Sequence, residues 1–271
     1  MKDSNKRCHA IFMRDNLLRV KFQAGELVLG TMIKDVYNPL LVSLLADAGL
    51  DFAIVDTEHS PYSYRDVQDF ALAARSRDIT LLARPPGSDY VSITKLLDCG
   101  VEGILVPRVE TPEEIACIIA SVKYPPAGNR GYSPSGVTTG YRKDLSMAQK
   151  IQKINKDVLI LLQIERIAAL TQLENIIKPP EISGVIVGPA DLSLSMGIPG
   201  EYDNPKFVEA VKRVILACRT RKMPCGIHLP DIAGLASWKQ QGMTILMYAS
   251  PFQMILADIE RFLDAIRGKK K

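Results

Sequence analysis

The chain has 271 residues, 47% of them hydrophobic and 24% charged, with a formal net charge of +4. A chain of this length buries roughly 70–75% of its unfolded surface, so it needs no disulfide or zinc staple. The small charge, part of it the Lys269-Lys270-Lys271 tail, comes with no basic stripe among aromatics, which argues against nucleic acid as a partner.

Five cysteines, Cys8, Cys99, Cys117, Cys218 and Cys225, form no CxxC pair and read as free thiols of a reducing cytoplasm. The first ten residues are polar and basic, unlike a signal peptide, and no apolar run reaches the roughly 20 residues of a membrane span. Residues 1–15 read as a flexible N-terminal extension and 16–271 as one folded unit. Asn16 to Ala24 reads as a short helix closed by Gly25.

Strand-length apolar runs then recur at Leu27–Ile33, Phe52–Val55, Thr80–Ala83, Gly103–Val106, Val158–Ile164, Gly184–Val187, Met223–Ile227 and Met243–Tyr248. They are continuously apolar, as parallel strands buried on both faces require. Helix starts lie between them. Asn38-Pro39, Thr111-Pro112, Asn204-Pro205 and Ser250-Pro251 each set a capping side chain before proline, and Thr111 with Glu114 makes a capping box. Four stripes at helical spacing are expected to pack on the strands: Val67-Phe70-Ala71-Ala74, Ile115-Ile118-Ile119-Val122, Val208-Val211-Ile215-Cys218 and Ile255-Ile259-Phe262-Ile266. Strands alternating with helices predict an α/β fold, a single-domain (β/α)8 TIM barrel; an open doubly wound sheet is the alternative, and its GxGxxG turn is missing. The stretch from about Tyr124 to Lys156 shows no strand and reads as a loop covering substrate at the active-site face.

In a barrel the strand ends carry the chemistry. Asp56 and His59 follow strand two, Arg84 ends strand three, Glu165 follows strand five, Asp191 follows strand six in Gly188-Pro189-Ala190-Asp191, and His228 ends strand seven. Glu165 and Asp191 are hard oxygen donors: either they hold an octahedral ion such as Mg²⁺ or Mn²⁺ with help from water and substrate, or they pair with arginines and cap helices. Asp56 could fix the imidazole of His59 as a general base, the other reading being a surface histidine. Arg84 either clamps a substrate carboxylate or pairs with Asp56 or Glu58. His228 is a pocket group or a hydrogen-bonded barrel histidine. His9, in the extension, is given no role. Lys34, after strand one, is the nearest candidate for a Schiff-base lysine and reads more simply as a solvated charge.

Asp56-Thr57-Glu58-His59-Ser60-Pro61, Arg84-Pro85, Leu96-Leu97-Asp98-Cys99-Gly100, Tyr124-Pro125-Pro126-Ala127-Gly128-Asn129-Arg130-Gly131, Gln163-Ile164-Glu165 and Gly188-Pro189-Ala190-Asp191-Leu192-Ser193 follow in order. Together they resemble the HpcH/HpaI aldolase family, metal-dependent pyruvate aldolases acting on 4-hydroxy-2-oxo acids, including 2-keto-3-deoxy sugar acids. The resemblance implies a carbon–carbon lyase that yields pyruvate and an aldehyde. It implies a divalent cofactor (Mg²⁺, Mn²⁺ or Co²⁺) on Glu165 and Asp191, chelating the 2-keto acid. Arg84 would bind pyruvate, and His59, held by Asp56, would act as acid–base through water. Gln163 would line the site, and backbone amides near Gly188 to Asp191, a stretch that includes Pro189 and Ala190, would help hold the carboxylate. The family exchanges its C-terminal helix between subunits, implying a homo-oligomer, a hexamer or trimer of dimers. Two departures bear on the aldehyde half: His228-Leu229-Pro230 after strand seven, and Met247-Tyr248-Ala249-Ser250-Pro251 without an expected aspartate. The alternatives are a non-catalytic keto-acid-binding paralogue and a citrate lyase β-like enzyme acting on a CoA thioester.

Overall fold

The computed structural model describes residues 13–268. His9, Cys8 and the terminal lysine run therefore lie outside the described residues, as do residues 1–12 of the expected extension. Arg14 is bound to the barrel: it pairs with Glu102 at 3.1 Å and donates to the carbonyl of Ile79 at 2.5 Å.

The Asn16 side chain accepts from the Arg19 N–H and starts α1 (Leu17–Ala24), which Gly25 closes at φ 69°. Then follow β1 (Val28–Ile33), α2 (Leu40–Asp47), β2 (Phe52–Asp56), α3 (Tyr64–Arg75), β3 (Thr80–Arg84), α4 (Tyr90–Asp98), β4 (Gly103–Val106), α5 (Pro112–Val122) and α6 (Met147–Asp157). The second half runs β5 (Leu159–Ile164), α7 (Ile167–Thr171), α8 (Leu173–Ile176), β6 (Gly184–Val187), α9 (Pro189–Ser195), α10 (Pro205–Thr220), β7 (Cys225–Leu229), α11 (Ile232–Gln240), β8 (Ile245–Tyr248) and α12 (Pro251–Arg267). Each strand pairs in parallel with the next, and β1 pairs with β8 through Val28 and Ile245. The sheet is closed, so the fold is a (β/α)8 barrel and the open sheet is excluded. The expected strand edges shift by one or two residues: Asp56 and Arg84 are the last residues of β2 and β3, and His228 lies inside β7.

Side chains of alternate strand residues fill the interior. Met32, Phe52, Ile54, Leu82, Leu105, Leu161, Ile186, Ile245 and Met247 form one buried cluster, and Leu18 and Phe22 of α1 join it at the N-terminal end of the barrel. Gly30 makes room for that packing, since a Cβ there would sit 2.5 Å from the Phe52 ring. Outside, α3 shows how a helix is fixed. Ser63 and Asp66 close a capping box, and Val67, Phe70, Ala71 and Ala74 are buried. Each large apolar side chain so buried contributes about 1.5–3 kcal/mol.

Two expectations fail. The Tyr124–Lys156 stretch does not cover the mouth. It begins after α5 has already run away from the active-site face, and its last third is α6, which leads straight into β5. It packs along α4: Arg130 pairs with Asp98 at 2.7 Å, and Val137 would meet any Cβ added at Gly100, just past the C-terminus of α4. The second failure is α12. Its stripe does not pack on the strands; Ile255, Ile259, Phe262 and Ile266 are 54%, 48%, 61% and 72% exposed, and only Pro251 of this helix is buried.

Among the described residues, no helix is long and apolar enough to cross a membrane.

Candidate active site

Parallel register sets Asp56 beside Arg84 on neighbouring strand ends. The arginine clamps the carboxylate with two nitrogens, Nε to Oδ1 at 2.8 Å and Nη2 to Oδ2 at 2.6 Å. Asp56 is fully buried. Burial pushes its carboxyl up, but the hydrogen bonds and charge of Arg84, with Lys34, outweigh that and hold it below the ordinary carboxylate range. Burial likewise opposes the Arg84 guanidinium, while Asp56, Glu58 and Glu165 raise it above its ordinary value. Pairing with Asp56 is thus one of the two readings of Arg84. The third nitrogen, Nη1, lies 3.2 Å from Glu58 Oε2 and 3.4 Å from Gln163 Oε1.

The structure corrects the expected Asp56–His59 couple. Asp56 Oδ1 accepts the backbone N–H groups of Glu58 and His59 at 3.0 and 3.3 Å, not the imidazole. A buried carboxylate two and three residues upstream satisfies the turn's own donors first. The ring instead sits beside Glu58, with Nε2 3.7 Å from Oε2, and the side chain is half exposed. Glu58 Oε2 is buried and has no hydrogen bond of good geometry.

β5 and β6 deliver the acidic pair. Glu165, 2% exposed, accepts from the Arg108 N–H at 2.7 Å on Oε1 and from Gln163 Nε2 at 2.5 Å on Oε2. Burial is the chief cause that pushes its carboxyl up, to about 7; the Arg108 N–H opposes this, and the charges of Asp191 and Glu58 add to it. Gly188, the N-cap of α9, lets the chain pass: a Cβ there would lie 2.7 Å from both Gln163 Nε2 and Glu165 Oε2. Asp191 in the first turn of α9 is exposed. A cavity of about 350 Å³ is lined by His59, Arg84, Gln163, Gly188, Asp191 and His228, among others, and Glu165 is bonded to its lining residue Gln163.

The donor set fits a divalent cation of the hard-oxygen kind. The charge of Asp191 raises the cost of ionising Glu165, and each Glu165 oxygen accepts one bond in the chain, leaving a lone pair free. Among the described residues no group of three or more His, Cys, Asp or Glu side chains forms a closed metal cage.

Several residues at or behind the cavity wall were not foreseen. Glu58 lies inside the quoted Asp56–Pro61 stretch, and Arg108 follows β4 as Glu165 follows β5, so the same strand-end criterion finds both. Lys34 is no freely solvated charge: it lines the cavity, and its Nζ lies 3.4 Å from Asp56 Oδ2. Tyr202 and Gln253 also line it, and no sequence signal marked them. His228 is both things expected of it, a cavity residue and a hydrogen-bonded one, with Nε2 2.8 Å from the Ala249 carbonyl. Burial, then nearby Arg84 and Lys34, push its pKa below the ordinary histidine value, so the ring is neutral and donates from Nε2.

Residues 35–253 match the family model for HpcH/HpaI aldolase/citrate lyase. A hydroxypyruvate/pyruvate aldolase of Sagittula stellata is 36% identical over 80% of this chain and 84% of its own length. A 5-keto-4-deoxy-D-glucarate aldolase of Klebsiella pneumoniae is 28% identical over 85% and 89%. Among solved structures, an HpcH/HpaI aldolase from Desulfitobacterium hafniense superposes with a TM-score of 0.88 at 31% identity, covering 94% of this chain and 98% of that one. The chain belongs to the HpcH/HpaI aldolase/citrate lyase family.

Proposed function

We propose that this aldolase, a carbon–carbon lyase, reversibly cleaves a 4-hydroxy-2-oxo acid or 2-keto-3-deoxy sugar acid to pyruvate and an aldehyde, using Mg²⁺, Mn²⁺ or Co²⁺ on Glu165 and Asp191. The observation that carries this is the pair of carboxylates on adjacent strand ends, Asp191 lining one cavity with Arg84 and His59, and Glu165 bonded to the lining residue Gln163. The names of the relatives, which span pyruvate and keto-deoxy-sugar-acid aldolases, support that substrate class.

When bound, the cation supplies Lewis-acid stabilisation of negative charge on the 2-keto oxygen. The side chains do the rest. Arg84 spends two nitrogens on Asp56 and offers Nη1 to the keto acid in exchange for its longer contacts to Glu58 Oε2 and Gln163 Oε1. His59 takes the proton of the C4 hydroxyl as the C3–C4 bond breaks and its electron pair passes into the pyruvate enolate. A proton returned to C3, through His59 or a water it holds, completes pyruvate. Glu58 Oε2, 3.7 Å from the ring, steadies the imidazolium formed between those transfers. Asp56, tied to Arg84 and to the turn, keeps its charge and holds both elements in place.

The test is direct. EDTA should silence turnover, and Mg²⁺, Mn²⁺ or Co²⁺ should restore it; Glu165→Ala and Asp191→Ala should abolish both ion binding and cleavage. Borohydride with pyruvate should leave the chain mass unchanged. An adduct on Lys34, or full activity after exhaustive chelation, would sink the reading.

The enzyme is further proposed to act as a cytosolic homo-oligomer, a hexamer or trimer of dimers, with α12 exchanged between subunits. The uncovered stripe of Ile255, Ile259, Phe262 and Ile266 supports this, since soluble chains seldom leave such a face bare. Sedimentation of Phe262→Glu should show smaller species than wild type; a wild-type chain that runs as a monomer refutes the exchange.

A further inference from the structure

Arg108 stands two residues beyond β4 at φ 55°, in the left-handed region. A non-glycine residue persists there only when its surroundings hold it. Its side chain makes two anchoring contacts. Nη2 donates to the Pro86 carbonyl at 3.1 Å and lies 2.9 Å from Glu58 Oε1. The backbone so anchored puts its N–H 2.7 Å from Glu165 Oε1. Gln163 fixes the other oxygen, so both atoms of the buried carboxylate are set before anything binds. The same Glu58 that receives Arg108 through Oε1 faces Arg84 through Oε2, 3.2 Å from Nη1. One continuous set of contacts therefore links Pro86, Arg108, Glu58, Arg84 and Asp56, with Glu165 hung from its second member.

We propose that Arg108 is a positioning residue of the aldolase reaction: its left-handed backbone, tethered by Pro86 and Glu58, presets the Glu165 carboxylate for the divalent cation and keeps it in register with Arg84. This rests on the reading of Glu165 and Asp191 as cation ligands. Arg108 touches neither cation nor substrate in this account. It acts through Glu165 by its main chain and through Arg84 by its side chain. Its guanidinium is half exposed, whereas the Glu58 carboxylate it meets is 6% exposed and on its loss keeps Arg84 as its guanidinium partner, so the melting temperatures are part of the test.

The experiment titrates Mn²⁺ alone into the full chain, without substrate, and reads free ion by its paramagnetic resonance signal. It compares wild type, Arg108→Ala and Arg108→Gly, and records the melting temperature of each ion-free protein. Arg108→Ala, which loses the tether and resists positive φ, should bind Mn²⁺ about 10–100-fold more weakly, the usual reach of groups that orient a ligand. Arg108→Gly adopts positive φ freely but lacks the tether, so its loss should be smaller, roughly 3–10-fold. A purely structural role would lower the melting temperatures and leave ion affinity unmoved. Arg108→Ala binding within about twofold of wild type, or Arg108→Gly weaker than Arg108→Ala, overturns the proposal while Glu165 stands as a ligand. A wild-type chain that takes up no Mn²⁺ overturns this proposal and the cation reading together.

Discussion

The two ends of the barrel differ in what their buried carboxylates and cations face. At the N-terminal end, many polar groups are spent on the chain itself, although Arg19 and Arg130 each keep a buried Nε without a hydrogen bond. Asn16 bridges the carbonyls of Glu102 and Asp157, Arg14 pairs with Glu102, and the Lys123 ammonium donates to the carbonyl of Asn155 at 2.6 Å. At the C-terminal end, groups of the same kinds keep bonding capacity in reserve. Glu58 Oε2 lacks a well-formed hydrogen bond, Arg84 Nη1 makes only longer contacts to Glu58 and Gln163, and Glu165 carries a carboxyl pushed up to about 7. Unspent capacity in a buried group costs stability, so it persists where a ligand completes it. What sets the C-terminal end apart is that Arg84 faces a cavity together with Asp191 and Gln163, the last bonded to Glu165.

Arg84→Ala is the largest expected break of that contrast, because this residue both holds Asp56 and faces the cavity. Removing one partner of a buried ion pair costs about 3–5 kcal/mol of stability. The pH response should also invert. In wild type the depressed Asp56 carboxyl contributes stability above its unfolded value of 3.8, lost as pH falls through the lower folded value. Without Arg84, burial dominates, the folded pKa rises, and the variant should be most stable in acid and lose stability as pH increases. Urea melts across pH read this slope. His59→Ala is the matched control. Its half-exposed ring should cost little stability and about 10²–10⁴ in rate. Near-wild-type turnover in His59→Ala would mean the acid–base has been misassigned.

Much of this was legible in the residues. Continuous apolar runs and capping signals outlined the barrel, and the strand-end rule picked out Asp56, Arg84, Glu165 and Asp191. Register was not legible: nothing in the sequence says that Asp56 and Arg84 stand side by side, so the ion pair and the substrate clamp stayed equal readings. The Asp56–His59 contact failed because spacing cannot tell a side-chain donor from the backbone N–H three residues on. Amphipathic spacing shows that a helix has a buried face, not what buries it; α3 and α12 carry similar stripes, and only that of α3 is covered within the chain. The Tyr124–Lys156 segment was placed at the mouth because strand four was counted as its origin, whereas the length of α5 carries the chain to the other end first.

Lys123 offers the smallest and most specific check that N-terminal-end charges are structural. The side chain is 5% exposed at the C-cap of α5 and donates to the carbonyl of Asn155 at 2.6 Å, with that of Val158 at 3.5 Å. Burial, with Arg19 nearby, lowers its pKa from 10.5 to about 8. The sign follows from proton counts. Between about 8 and 10.5 the unfolded chain binds more protons at this site than the folded one, so this lysine's contribution to stability rises with pH across that window. Below it the ammonium is kept at a desolvation cost that the two carbonyls offset only in part. Lys123→Met removes the titration and the hydrogen bonds together. The stability gap between wild type and Lys123→Met should therefore widen in favour of wild type by on the order of 1–2 kcal/mol from about pH 7.5 to about pH 9.5. Denaturant melts at matched ionic strength measure that gap, and catalytic rate per folded molecule should not change. A gap constant with pH would mean the amine is not desolvated, and a change in rate would tie this end of the barrel to the chemistry at the other.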